Sequence, residues 1–128
     1  MFKIDTQSTV PIYEQLRNQV VYTIASGKLK AGETLPSVRK MADMIEINFH
    51  TVNKAYALLN DEGYIIMDRR KGAIVNDRLT DSAEFMENLS ARVGLAAAEA
   101  ICRGIDDMAF VSVCMQAYRD VKEGIMNV

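Results

Sequence analysis

The sequence predicts a mainly α-helical fold with one small β-hairpin, and three observations lead there. Five stretches carry apolar residues at three- and four-residue spacing. Two of them, between Leu35 and Leu59, are short and separated only by Ile47 and Asn48. Directly after that pair comes YIIMDRRKGAIV (64–75), two apolar runs around a charged, glycine-containing middle. Helices, a tight turn and a hairpin in this order describe a winged helix-turn-helix over residues 1–77. The remaining two stretches then form a two-helix hairpin over residues 78–128, suited to dimerisation.

The elements follow in order. FKID (2–5) is an extended lead-in. Thr9 offers a cap, Pro11 fits a first helical turn because its missing N–H is not needed there, and Ile12, Leu16, Val20 and Ile24 make a stripe that Gly27 ends. KLKAGETLP (28–36) is a connector. Ser37 then caps a helix whose Val38, Met41, Ala42 and Ile45 share one side. Asn48 caps the next, from about Phe49 to Glu62, whose Val52, Ala55, Tyr56 and Leu59 share one face. Gly63 closes it. In the hairpin, Tyr64–Met67 and Ala73–Val75 are the strands, with Arg69, Arg70 and Lys71 at the tip.

The chain changes character between Asp77 and Asp81. Asp81 with Glu84 has the form of a capping box, and Phe85, Leu89, Val93, Ala96, Ala97, Ala100 and Ile101 keep helical spacing up to Gly104. A last helix from about Asp106 to Glu123 is apolar around more than half its circumference, through Met108, Phe110, Val111, Val113, Cys114, Met115, Ala117, Tyr118 and Val121. Two such helices cannot bury both stripes against each other. Some of this surface should meet another subunit.

At 128 residues and 49% apolar content, the chain suffices for one domain with an attached helical module. It has no run of about 18 apolar residues and no basic-then-apolar start, so neither a membrane span nor a signal peptide is expected, and the predicted location is cytoplasmic. The net charge of −2 is uneven. Residues 1–78 carry 11 Lys or Arg against 9 Asp or Glu, and residues 79–128 carry 4 against 8. A mildly basic part joined to an acidic one suits a nucleic-acid reader with a separate interaction module. Cys102 and Cys114 have no close Cys or His partner, and the expectation is that both are buried and free.

If the stripe of the second short helix packs inward, His50, Asn53, Lys54 and Ala57 face outward together, as on a recognition helix laid in a major groove. The cationic hairpin tip beside it can reach phosphates or the minor groove. Taken singly, these features have plainer readings: a polar helix face, a solvated basic turn, and an Arg39 that pairs with Asp43 four residues on. Their succession favours DNA.

The segment from Pro11 to Val75 closely resembles the GntR family of bacterial transcription regulators. The matching stretches are PIYEQLRNQV, GKLKAGETLPSVRKMA, TVNKAYALLNDEGYI and RRKGAIV. The short two-helix C-terminal part looks like the YtrA branch, whose members lack a large effector domain and dimerise through that hairpin. The resemblance implies that Arg39 contacts DNA, that Thr51 with His50, Asn53 and Lys54 meets phosphates and base edges, and that Arg70, Lys71 and Gly72 enter the minor groove. With the capping positions Ser37 and Asn48, these are the candidate DNA-binding residues. The sequence departs from the wider family at Phe49 and Asn53, where many relatives carry Arg, and at Arg70, which replaces the first of two wing glycines. An Arg grips guanine through two hydrogen bonds, whereas Phe cannot and Asn prefers adenine.

His50 is the only histidine and has no ligand partners nearby, so no metal is expected. Exposed Lys28 and Lys30 are read as solvated, and Tyr13 and Tyr56 as core residues with tethered hydroxyls. No Ser–His–carboxylate grouping or phosphate loop appears, which excludes an enzyme and any cofactor it would need. The expectation is a transcription regulator, a repressor, that binds a palindromic double-stranded DNA operator as a homodimer. Two alternatives remain: a winged helix that docks proteins, and a regulator whose DNA binding is set by a small-molecule effector, of unspecified identity, at the Met-rich C-terminal helices.

Overall fold

A computed structural model describes residues 2–77, 79 and 81–125. Its order is α1 (Ile12–Ala25), α2 (Val38–Ile45), α3 (Phe49–Asp61), β1 (Ile65–Asp68), β2 (Gly72–Val75), α4 (Ala83–Cys102) and α5 (Asp107–Lys122). The apolar stripes of α1, α2 and α3 face one core. Leu16 and Val20 of α1, Met41 and Ala42 of α2, and Val52, Ala55, Tyr56 and Leu59 of α3 are buried together with Leu35, Ile65 and Ala73. Tyr56 sits at the centre, and its hydroxyl donates to the Pro36 carbonyl at 2.7 Å, so the polar end of a buried ring is satisfied. Burial raises the pKa of that hydroxyl, which stays protonated.

The caps explain where the helices begin. Ser37 Oγ accepts from Lys40 N–H at 3.1 Å and Asn48 Oδ1 from His50 N–H at 2.8 Å, each satisfying an otherwise unpaired first-turn donor. Thr9 does not cap α1. Pro11 is the N-cap without a side-chain bond, and the chain ahead of it is held instead by two buried glutamines. Gln15 accepts from Asp5 N–H at 2.8 Å and donates to the carbonyls of Asp5 and Val10, while Gln19 accepts from Lys3 N–H and donates to the Lys3 carbonyl. Spaced one helical turn apart, the two side-chain amides pair with the extended lead-in much as a neighbouring strand would. Sequence reading gave these residues no role, because a polar residue inside a helix pattern ordinarily signals an exposed face.

The turn between α2 and α3 pivots one residue earlier than the sequence suggests. Glu46 has φ 56° and ψ 45°, the left-handed conformation that caps α2, and Ile47 N–H then donates to the Ala42 carbonyl at 3.0 Å. Among the described residues it is the only non-glycine at positive φ. With no glycine at the position, no sequence signal marked it.

The strands pair antiparallel with Ile65 opposite Val75 and Asp68 opposite Gly72. The connector also joins this sheet. Leu35 N–H donates to the Ala73 carbonyl at 2.8 Å, Val75 N–H to the Glu33 carbonyl at 2.8 Å, and Gly32 N–H to the Val75 carbonyl at 2.9 Å, around a bridge between Thr34 and Ile74. What reads as a loop is thus joined to the edge of β2 through one isolated bridge, which ties the region before α2 to the wing. At the far end of α3, Arg17 Nε and Nη2 donate to the Glu62 carboxylate at 2.9 and 3.0 Å, and its guanidinium lies 5.4 Å from the centre of the Tyr64 ring. Burial works against the Arg17 charge, but these partners outweigh it and raise its pKa.

The two C-terminal helices stand where the sequence puts them. Ser82, not Asp81, caps α4 by accepting from Phe85 N–H at 3.1 Å, and Asp106 caps α5 by accepting from Ala109 N–H at 2.8 Å. The proposed boundary after Asp77 falls beside Arg78, which lies outside the described residues. The helices meet around their elbow, where Ala96, Ala100, Ile105, Phe110 and Val113 line a shallow groove, and they do not close on each other along their length. Ala100 is the one residue of α4 buried, and α5 buries none. Beyond the elbow α5 returns to α1, where Lys28 Nζ donates to the Gly124 carbonyl at 3.5 Å. Cys102 and Cys114 are accordingly exposed, contrary to the expectation of burial, since the faces that carry them have no cover within the chain. Both are free.

Because glycine enters the left-handed region without the Cβ clash, whereas glutamate is strained there, Glu46→Gly should raise the unfolding free energy by roughly 0.5–1 kcal/mol. Urea denaturation followed by circular dichroism measures it, and a loss of stability would refute the strain at this turn.

Candidate nucleic-acid interface

Inward packing of the α3 stripe has a direct consequence for the other side of the helix. His50, Asn53, Lys54 and Ala57 are exposed, Thr51 is half-buried at the flank, and Ser37 and Arg39 of the preceding turn and helix are exposed beside them. Ser37 and Asn48 use their side-chain oxygens for capping, so what they offer a phosphate at these helix starts is chiefly backbone N–H.

Arg39 makes no ion pair with Asp43. Its guanidinium lies 5.7 Å from the centre of the Phe49 ring, and Phe49 in turn meets the His50 ring edge-on, with centroids 5.7 Å apart and planes at 83°. A cation held over an aromatic face gains on the order of 0.5–1 kcal/mol at an exposed site. Here the contact also limits where the guanidinium can swing. Lys54 is held similarly from the other side, its ammonium 4.1 Å from the Tyr13 ring centre. Tyr13 is therefore half-buried with a surface partner on its ring, and its hydroxyl donates to Glu14 Oε1 at 3.4 Å.

The wing is built by its turn. Asp68 Oδ1 accepts from Arg70 N–H at 2.7 Å and Lys71 N–H at 3.1 Å, and Gly72 takes φ 80° to re-enter the ladder. Those bonds lower the Asp68 pKa from its ordinary value. The side chains of Arg69, Arg70 and Lys71 all remain exposed at the tip. Asn60 Oδ1 accepts from Met67 N–H at 3.2 Å, so the C-terminal half of α3 holds β1 close to the wing tip. The structure thus gathers Ser37, Arg39, Asn48, His50, Thr51, Asn53 and Lys54 around the start of α3 and carries Arg70, Lys71 and Gly72 on a separate projection. Sequence reasoning marked Phe49 only as a departure from the arginine of many relatives, and it left Asn60 and Asp68 without a part in the interface. An Asp two residues before an Arg and four before a Gly was a turn signal available for the last of these.

Among the described residues, no group of His, Cys, Asp and Glu could hold a metal ion, and no helix is long and apolar enough to cross a membrane. A three-helix core that presents one polar helix face, flanked by a cationic hairpin, defines the winged helix-turn-helix class. The chain belongs to the bacterial regulatory proteins of the gntR family, whose sequence profile matches residues 12–75. It is similar to the HTH-type transcriptional repressor YtrA of Bacillus subtilis, with 42% identity over 77 residues, 60% of this chain and 59% of that repressor's length. YtrA from Sulfolobus acidocaldarius, a GntR-family transcription factor, superposes with a TM-score of 0.61 at 39% identity, over 74% of this chain and 97% of that one. A transcriptional antiterminator from Listeria monocytogenes superposes with a TM-score of 0.90 at 25% identity, over 100% of this chain and 97% of that one. This second superposition spans α4 and α5 as well as the winged helix.

The wing's shape depends on the ionised Asp68. A lowered pKa means that its stabilisation is complete above the ordinary carboxylate range and is lost as pH falls through the lowered value. Asp68→Ala should loosen the tip and weaken DNA binding severalfold at neutral pH while the fold is retained. Fluorescence anisotropy with a labelled operator would show it, and unchanged affinity would remove the ordered wing from the interface.

Proposed function

We propose that this protein is a sequence-specific transcriptional repressor that binds a palindromic operator as a homodimer. Residues 1–77 form the DNA-binding part and residues 78–128 join two copies. The observation that carries the reading is the pairing of an exposed polar start of α3 with a cationic wing on one compact core. In it, α3 lies in the major groove with His50, Asn53 and Lys54 toward bases and phosphates. Arg39 and the amides at the starts of α2 and α3 hold the backbone, and Arg70, Lys71 and Gly72 reach the neighbouring minor groove.

The dimer reading rests on α4 and α5. Met108 is 80% exposed and Tyr118 72%, and Leu95, Ile101 and Val113 are similarly bare. Apolar exposure of this extent is costly in water and is relieved when a second copy supplies helices of the same character. The antiterminator's likeness over both helices supports this open arrangement as a property of the fold. A second reading, effector control, is favoured by one cleft. An opening of about 830 Å³ separates α4 from the winged helix, with Arg17, Glu62, Tyr64, Phe85 and Arg92 among its walls, so a small molecule seated there would bear on the angle between the two parts.

Selection of fragmented genomic DNA by the purified protein at about 0.15 M salt, where non-specific attraction is reduced, tests the main reading. The expected result is a palindrome near a promoter. Arg39→Ala should lose that operator while keeping the wild-type oligomeric state by sedimentation. Recovery of random fragments by the wild-type protein, or an Arg39→Ala variant of full affinity, would contradict it.

A further inference from the structure

The surface that carries Arg39, His50 and Asn53 also carries a large apolar group that the core does not use. Phe49, the first residue of α3, is 42% exposed although it belongs to the same helix as four fully buried residues. Its ring is not loose. The Arg39 guanidinium lies over it and the His50 ring meets it edge-on, each at 5.7 Å, so both flanks are occupied by polar DNA-facing groups and the ring is left between them. Among the described residues the ring is outside the buried core cluster.

A major groove offers such a ring one apolar group, the 5-methyl of thymine. The other groups that distinguish base edges there are hydrogen-bond donors and acceptors, which a phenyl ring cannot satisfy. Residues at the N-terminal end of a recognition helix are the ones that reach base edges. We propose that Phe49 is a specificity-determining residue that reads a thymine methyl at a fixed position in each operator half-site. This inference rests on the proposed placement of α3 in the major groove. Asn53 stands four residues on, one turn along the same side of the helix, and its carboxamide suits adenine N6 and N7. The two together require A·T pairs where an arginine at either position would select guanine.

The experiment uses a synthetic duplex of the selected palindrome, with each thymine replaced in turn by deoxyuridine at both symmetric positions, which deletes only the methyl group. Wild-type protein should lose affinity by about fourfold per half-site at one thymine, the value expected for one buried methyl, and remain indifferent elsewhere. Phe49→Ala should bind the thymine and uracil duplexes equally, and Phe49→Leu, which keeps an apolar contact, should retain part of the difference. The proposal is overturned if no replacement affects the wild type, or if Phe49→Ala keeps the same sensitivity. Either result with an Arg39→Ala variant that still fails to bind would leave α3 in the groove and reduce Phe49 to a platform for Arg39. Full affinity of Arg39→Ala would instead remove the interface itself.

Discussion

Burial of the Val52, Ala55, Tyr56 and Leu59 stripe is the constraint on which the rest of the structure depends. All four are at most 1% exposed, and they meet α1 through Leu16 and Val20 and α2 through Met41. A large side chain so buried contributes about 1.5–3 kcal/mol, against a typical domain stability of roughly 5–15 kcal/mol. The rotation of α3 about its axis is therefore fixed by the core. Once it is fixed, the identity of the outward residues is no longer free, because at 3.6 residues per turn each buried position determines its opposite. The tethered hydroxyl of Tyr56 adds direction by locking α3 to the chain just before α2, and Asn60 passes the placement on to the wing.

The regular elements were legible in the sequence because their causes are local. Periodicity located the helices to within a residue or so, the side chains of Ser37 and Asn48 marked two starts, and glycines at 27, 63 and 104 marked three ends. The errors came where tertiary partners decide. Gln15 and Gln19 read as ordinary polar positions because nothing local shows that they pair with the lead-in. The bridged segment at residues 32–35 is too short for alternation to register, and its pairing depends on the edge that β2 offers it. Glu46 occupies a conformation that the sequence would assign to glycine. In the candidate interface, the outward set on α3 followed from the wheel. The seat of Arg39 on Phe49 and that of Lys54 on Tyr13 join residues from different helices, which no periodicity displays.

The C-terminal part obeys the same physics with one term missing. Its helices have caps, acidic first turns, and Arg119 and Lys122 in the last turn of α5, all in accord with the helix dipole. Their local determinants are complete, yet their apolar faces are open, so what they lack is a partner surface and not helical propensity. This explains why Cys102 and Cys114, apolar by pattern, are exposed. In the proposed dimer the same faces would close, and the contact of α5 with α1 at Lys28 and Gly124 would carry the dimer geometry to the helix that packs on α3. Whatever alters the angle between the two copies would then alter the distance between their recognition helices.

That distance is the central quantity. Hydroxyl-radical footprinting of the selected operator at single-nucleotide resolution measures it directly on the DNA. Two symmetric patches of protection are expected, on one face of the duplex, with centres one helical turn or a whole multiple of about 10–10.5 base pairs apart. A single patch at saturating protein, or two patches on opposite faces of the duplex, would contradict a two-fold dimer that places both α3 helices in major grooves on one face of the DNA.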